Sequence, residues 1–226
     1  MTRIAFASLL LSLLPALSSA ADLVGGVSYE PSEQQQDFKH LLEFAGIKYV
    51  VNTIDGKEFV YWAASDQSKV QRIKHLHFDG SNRSKAVVAK ALGNTERYLG
   101  FLAAAANDGD SVAQQNLATE YLRGVVTERN YGEALRWYEA AVSSGRPEAA
   151  GGLALMYEQG LGVEANPEKA RHFLVQAAEA GDVSSMCNAA RHLEHGSLGF
   201  PLDPGLSEQW KARAKVAGFD CSIFAR

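Results

Sequence analysis

The chain is poor in every residue class that marks a catalytic or nucleic-acid-binding surface. It has no basic excess: 22 Lys and Arg stand against 26 Asp and Glu, a formal charge of −4. Nucleic-acid binding needs a basic face, so nucleic acid is not an expected partner. Only two cysteines are present, an even count that allows a single disulfide. No nucleophile elbow, phosphate loop, paired catalytic carboxylates or metal signature occurs. Beyond the first twenty residues no apolar run is long enough to span a bilayer. These absences predict a protein that is not an enzyme, has no cofactor and no metal, and has no catalytic residues.

What is present begins with a targeting pattern. Arg3 precedes the apolar run Ile4–Leu14, followed by Pro15 and the small residues Ser18-Ser19-Ala20. This reads as a secretory signal peptide over residues 1–20, cleaved after Ala20. No cysteine stands at the cleavage site, which disfavours a lipoprotein. The expectation is an exported, periplasmic protein with no membrane span once the signal is removed.

Most of the remaining chain repeats itself. Gly109, Gly145, Gly181 and Gly218 recur at steps of 36, 36 and 37. Ala105, Ala141, Ala177 and Ala214 keep the same step, as do Phe101, Trp137, Phe173 and Trp210. A repeat of this length predicts helix pairs stacked into a solenoid, each burying its apolar face against its neighbours. Within a unit, Ala113, Leu117 and Tyr121 lie four apart and predict the apolar stripe of the first helix. Gly124, Gly160 and Gly196 end that helix. Asp110 and Asp182 start it.

These residues carry a resemblance. The run Ala149–Val163 (AAGGLALMYEQGLGV), then Lys169-Ala170, then Ala177–Gly181, resembles the Sel1-like repeat. The first repeat is similar through Arg136-Trp137-Tyr138 and Ala140-Ala141. The third is degenerate: Leu193 stands for the tyrosine, and its loop from Gly196 to Gly205 is one residue longer. The resemblance covers about 125 of the 226 residues. It implies a mainly α, tetratricopeptide-like α-solenoid that binds proteins. Repeats are placed at about 109–144, 145–180 and 181–217, within an array spanning 94–226.

Residues 21–80 differ in kind. Phe38, Leu41, Leu42 and Ala45 share a helix face, with Ser32 as its cap and Gly46 as its stop. Ile47, Tyr49 and Val51 alternate as a strand, Asp55-Gly56 makes a turn, and Phe59–Trp62 returns. Ser65-Asp66 is the expected cap of a helix carrying Val70 and Ile73. The prediction is a small α+β module in the order α-β-β-α. A two-stranded hairpin is marginal alone. Leu23–Tyr29 offers a third strand, weakened by Gly25-Gly26; otherwise an edge is left to pair with another protein. Residues 81–93 link the module to the array through a short helix.

The candidate site is the face of the first helices turned away from the 113/117/121 stripe. Its columns read Asn116, Thr119 and Glu120; Gly152, Leu155 and Met156; Asn188, Arg191 and His192. Polar ends flank an apolar centre, and exposed Leu155 and Met156 would suit a protein ligand. Gly151-Gly152 inside a helix costs about 1 kcal/mol per glycine against alanine, so the pair suggests either room for an inserted group or close helix contact. Cys187 and Cys221 lie one repeat apart and are expected to form a disulfide or to stay as two buried thiols. His192 and His195, with His172, offer a weak metal site; solvated or groove-lining histidines are the simpler expectation.

Function then follows by class. The resemblance implies a protein-binding scaffold. Exported members of the family include immunity proteins that bind and occlude lipase toxins delivered by type VI secretion. The partner would then be a toxin or effector. The alternative is an adaptor subunit of an envelope secretion, motility or cell-wall complex. A hydrolase of cell-wall or β-lactam type ranks last.

Overall fold

The computed structural model describes residues 23–29, 33–54 and 57–224. The expected signal segment with its cleavage after Ala20, the Ser32 cap and the Asp55-Gly56 turn lie outside these residues. The chain divides into two compact units, Met1–Phe101 and Leu102–Arg226. Sequence reading set the array's start at Asn94; the division falls eight residues later, inside a helix.

The first unit contains β1 (Leu23–Tyr29), α1 (Glu33–Phe44), β2 (Tyr49–Ile54), β3 (Lys57–Ala63), α2 (Gln67–Ile73), α3 (Asn82–Ala91) and the start of α4 (Thr95–Asn107). Its sheet has three strands in the order β1-β3-β2, antiparallel throughout. The candidate third strand therefore pairs with β3. Its register breaks between Val24 and Val27, at the two glycines that weakened the expectation. Val51 lies opposite Val60 and Tyr49 opposite Trp62. Phe38, Leu41 and Leu42 of α1 bury against Val60, Trp62, Val70 and Ile73. Trp62 Nε1 donates to Gln67 Oε1 at 2.7 Å, so the buried indole keeps its polar atom satisfied.

One expected cap is different. Asp66 precedes α2 with φ −95° and ψ −3° and makes no side-chain cap bond. The helical backbone there turns the carboxylate away from the following N–H groups, and it accepts from Lys69 Nζ at 2.9 Å instead.

The second unit is a series of antiparallel helix pairs: α5 (Ser111–Arg123) with α6 (Tyr131–Ser143), α7 (Ala150–Gln159) with α8 (Pro167–Glu179), and α9 (Val183–His195) with α10 (Pro204–Val216). Each pair also packs on the next, α6 on α7 and α8 on α9. The caps repeat with the sequence. Asp110 accepts from Val112 N and Ala113 N at 3.0 and 2.9 Å, and Asp182 accepts from Ser185 N at 2.7 Å. Asn130, Asn166 and Asp203 do the same for the second helices. Gly124, Gly160 and Gly196 close the first helices at φ 65°, 68° and 58°, a left-handed stop open to glycine at no steric cost.

Small residues let the helices approach. Ala134, Ala141, Ala170, Ala177, Ala178 and Ala214 are fully buried where pairs cross. Each pair adds one aromatic of the Trp137/Phe173/Trp210 column. Arg136 lies 4.1 Å over the Trp137 ring and Arg213 lies 4.4 Å over Trp210, so a cation covers the outer face of each tryptophan.

Candidate functional site

The candidate columns divide into an accessible set and a buried set. Asn116 is exposed; Thr119, Leu155, Asn188 and Arg191 are half-buried. Together they form a mostly polar strip along α5, α7 and α9. Glu120, Met156 and His192 are buried, at 8 %, 0 % and 3 % exposure. The expectation that Met156 meets a partner is therefore corrected: it is a core residue.

The reason is helical periodicity. Steps of four residues advance 400°, so a stripe at 113, 117 and 121 drifts by 80° over two steps. The core follows i, i+4, i+7 instead, which drifts by only about 20°. Ala113, Leu117 and Glu120 are buried, while Tyr121 is only half-buried. One repeat on, Ala149, Leu153 and Met156 obey the same rule, as do Ser185, Ala189 and His192 in the third.

The two helical glycines are also accounted for within the chain. A Cβ on Gly152 would lie 2.3 Å from Tyr138 Cζ. The volume expected to be free for a partner holds the Tyr138 ring. A Cβ on Gly151 would lie 2.8 Å from Ser185 Oγ. Of the two meanings allowed by the sequence, close helix contact is the one observed. Tyr138, which entered the sequence reading only through the family resemblance, is buried between α5 and α7, and burial raises its phenol pKa. Thr119 Oγ1 donates to Gln115 O at 2.9 Å and lies 2.9 Å from Tyr138 Oη. Its single proton is already committed, so the Tyr138 phenol donates to Thr119. The signal for Tyr138 was its column: leucine stands there in the second repeat, at Leu174.

His192 sits in a cluster with a triad-like outline. Its Nδ1 lies 2.9 Å from Ser197 Oγ, and its Nε2 lies 3.5 Å from Glu158 Oε1. However, Arg191 Nη2 is closer to Nε2, at 3.3 Å. A guanidinium can only donate, so Nε2 is the acceptor and the ring proton lies on Nδ1, facing Ser197. In that tautomer the imidazole donates to the hydroxyl and cannot take its proton. The ring also stacks on Phe200, with centroids 5.9 Å apart and planes at 10°. Burial, then the neighbouring Arg191 charge, lowers the His192 pKa. His192 is thus a neutral packing residue. His195 and His172 are exposed, and among the described residues no three metal-ligating side chains gather at one point.

Cys187 and Cys221 are bonded, with Cα atoms 5.2 Å apart. The close approach comes from a one-turn 3-10 helix, Cys221–Phe224, after α10. An ordinary helix pair, with axes about 8–10 Å apart, would hold the two backbones too widely.

Residues 111–145 and 147–182 match the family model described as Sel1 repeat. These helix pairs are Sel1 repeats. Over 81 residues the chain is 43% identical to an uncharacterized protein of Neisseria meningitidis serogroup B, covering 36% of this chain and 17% of that one. It is 34% identical over 108 residues to chitin synthase regulatory factor 3 of Schizosaccharomyces pombe, covering 45% and 12%. The chain thus spans less than a fifth of the length of either relative. A Sel1 repeat protein from Oxalobacter formigenes superposes with a TM-score of 0.52 at 24% identity, over 61% of this chain and 62% of that one. A protective antigen of uropathogenic Escherichia coli displaying an SLR fold gives a TM-score of 0.55 at 24% identity, over 62% and 31%. At such identity the likeness is one of fold. The α9–α10 pair continues the series of helix pairs beyond the matched residues. Sel1 repeats mediate protein–protein interaction in general. Among the described residues no helix is long and apolar enough to cross a membrane.

Proposed function

We propose that this chain is an exported, non-enzymatic scaffold that grips a partner protein along the first helices of its Sel1 repeats. The observation that carries the reading is the accessible strip Asn116, Thr119, Leu155, Asn188 and Arg191. These positions recur at the repeat period, yet the scaffold leaves them at the surface. One half-buried leucine among polar side chains is the anatomy of a protein interface: an apolar centre with a hydrogen-bonding rim. The Arg3–Ala20 pattern and a disulfide, which persists in oxidising compartments, support export to the periplasm. The array is acidic, with seventeen Asp and Glu against twelve Lys and Arg from Asn94 onward, which favours a basic partner surface.

The finer reading is an immunity protein that occludes a lipase-type toxin delivered by type VI secretion. The test is a mixture of the purified full chain with the lipase-type toxin encoded beside its gene. A stoichiometric complex with loss of lipase activity is expected. Asn116→Arg combined with Asn188→Arg should abolish the complex without lowering the melting temperature. Full lipase activity with no complex would sink the immunity reading. If the chain instead co-purifies with resident envelope subunits, it is an adaptor. That second reading draws on the first unit, which has its own core around Leu42, Val60 and Trp62 and would serve as the docking module.

A further inference from the structure

The junction that follows α9–α10 is built differently from the one before it. At the second junction, Gly151 of α7 meets Ser185 of α9. One repeat on, the same two columns both carry sulfur: Cys187 follows Gly151 by 36 residues, and Cys221 follows Ser185 by 36. The disulfide therefore seats Cys221–Phe224 where the first helix of a following repeat would begin.

The rest of that seat has lost its apolar character. Leu155, Leu174 and Ala178 of the second repeat become Arg191, Lys211 and Lys215 in the third. Leu174 and Ala178 are buried beneath the next pair, whereas Lys215 is exposed. With Glu194, Glu208 and Asp220, these three cations line an open cleft of about 1060 Å³, and both half-cystines form part of its wall. Lys211 is held by Glu194 and Glu208. Ser222 N donates to Asp220 Oδ1 at 2.9 Å, a bond within the 219–224 segment itself. Phe219 and Cys221 still pack on the α9–α10 core, so here the covalent bond adds to a smaller burial than the one that fastens the earlier junction.

We propose that Cys187–Cys221 is a redox-operated latch. A dithiol reductant entering the cleft opens the bond, and residues 219–224 leave the α9–α10 face. One thiolate of the reductant attacks Cys221 Sγ, the half-exposed side of the bond. The S–S bond breaks, and its electron pair leaves on Cys187 Sγ, which then takes a proton from water. The second reductant thiol attacks the mixed disulfide and releases Cys221 as a thiol; the reductant departs as a cyclic disulfide. Arg191, one helical turn beyond Cys187, and Lys215 favour the leaving thiolate, and a lower thiol pKa speeds departure.

Amide hydrogen exchange on the full chain, before and after dithiothreitol, with thiols counted in parallel, tests this. Two thiols should appear while the protein stays folded. Amides of 219–224 should exchange at least tenfold faster, and amides of α5–α8 should not change. Cys221→Ser should show the released pattern without reductant and no response to it. The latch is refuted if the thiols titrate only on unfolding, or if 219–224 stay protected once both are free. Loss of protection throughout α5–α10 together would equally refute it, because the bond would then hold the whole array.

Discussion

The Tyr138 ring fills the space that a side chain at Gly152 would occupy, with a Cβ built there only 2.3 Å from Tyr138 Cζ. Helix α6 thereby inserts an aromatic between two first helices, and its hydroxyl is fixed on Thr119. Gly152→Ala should gain about 1 kcal/mol of helix propensity and lose about 1–3 kcal/mol to overpacking, because the ring is buried and cannot swing away. We expect a net loss, read as a lower urea midpoint. In a Tyr138→Leu background, which installs the residue of the second repeat, the same change should become neutral or stabilising. Equal losses in both backgrounds would show that the ring is not the obstacle.

Asp182 caps α9 through a 2.7 Å bond from Ser185 N. Asp182→Ala leaves that N–H without its partner and should cost about 0.5–2 kcal/mol. Asp182→Asn keeps an acceptor and should retain most of the stability. Thermal melts of the two variants decide; equal melting temperatures would refute the cap's contribution.

Stability should fall in mild acid. His192 is buried and neutral, and its folded-state pKa lies below the ordinary 6.5. The unfolded chain therefore binds a proton more readily than the folded one. Its contribution is fully present above about 6.5, the unfolded value, and is lost as pH falls toward the folded one. Glu158, facing Nε2, opposes the shift; burial and the charges of Arg191 and His195 prevail. Melting temperatures between pH 8 and pH 5 should decline for the wild type. His192→Met, which copies Met156 of the preceding repeat, should flatten that decline. An unchanged profile in the variant would place the acid sensitivity elsewhere.

Leu42 of α1 has 0 % exposure in the core of the first unit, beside Trp62. Leu42→Ala should cost about 2–5 kcal/mol through lost burial and a residual cavity. Fluorescence of a chain retaining only Trp62 among its three tryptophans would report the loss as an earlier transition. No change in that transition would mean that Trp62 does not report on this core.

Much of the second unit was legible because its signals are local and repeated. Gly124, Gly160 and Gly196 end helices by a backbone conformation that glycine adopts freely, and Asp110 and Asp182 cap by reaching two or three residues ahead. In the first unit the hairpin was legible from alternation, but the pairing of β1 was left open. Gly25-Gly26 weakens strand propensity, and only the match to the edge of β3 supplies the missing contacts. The Asp66 cap failed because cap geometry depends on ψ, which residue type does not set.

The candidate site was legible as a surface but not as a list. Asn116, Thr119, Leu155, Asn188 and Arg191 are accessible; Glu120, Met156 and His192 are not. A stripe read at steps of four drifts round the helix, and three residues of the true core lay within the error.

The sequence by itself determined the repeat, its register, its caps and the columns from which a partner surface can be drawn. Each of these follows from interactions within a few residues or from periodicity along the chain. Only the tertiary structure decided what fills the space at Gly152, which tautomer His192 holds, and that Cys187 reaches Cys221. Those depend on contacts between residues 14 and 34 positions apart, or on which of two polar neighbours stands closer to one ring nitrogen. Packing sets such distances to tenths of an ångström, and no pattern of residue types carries them.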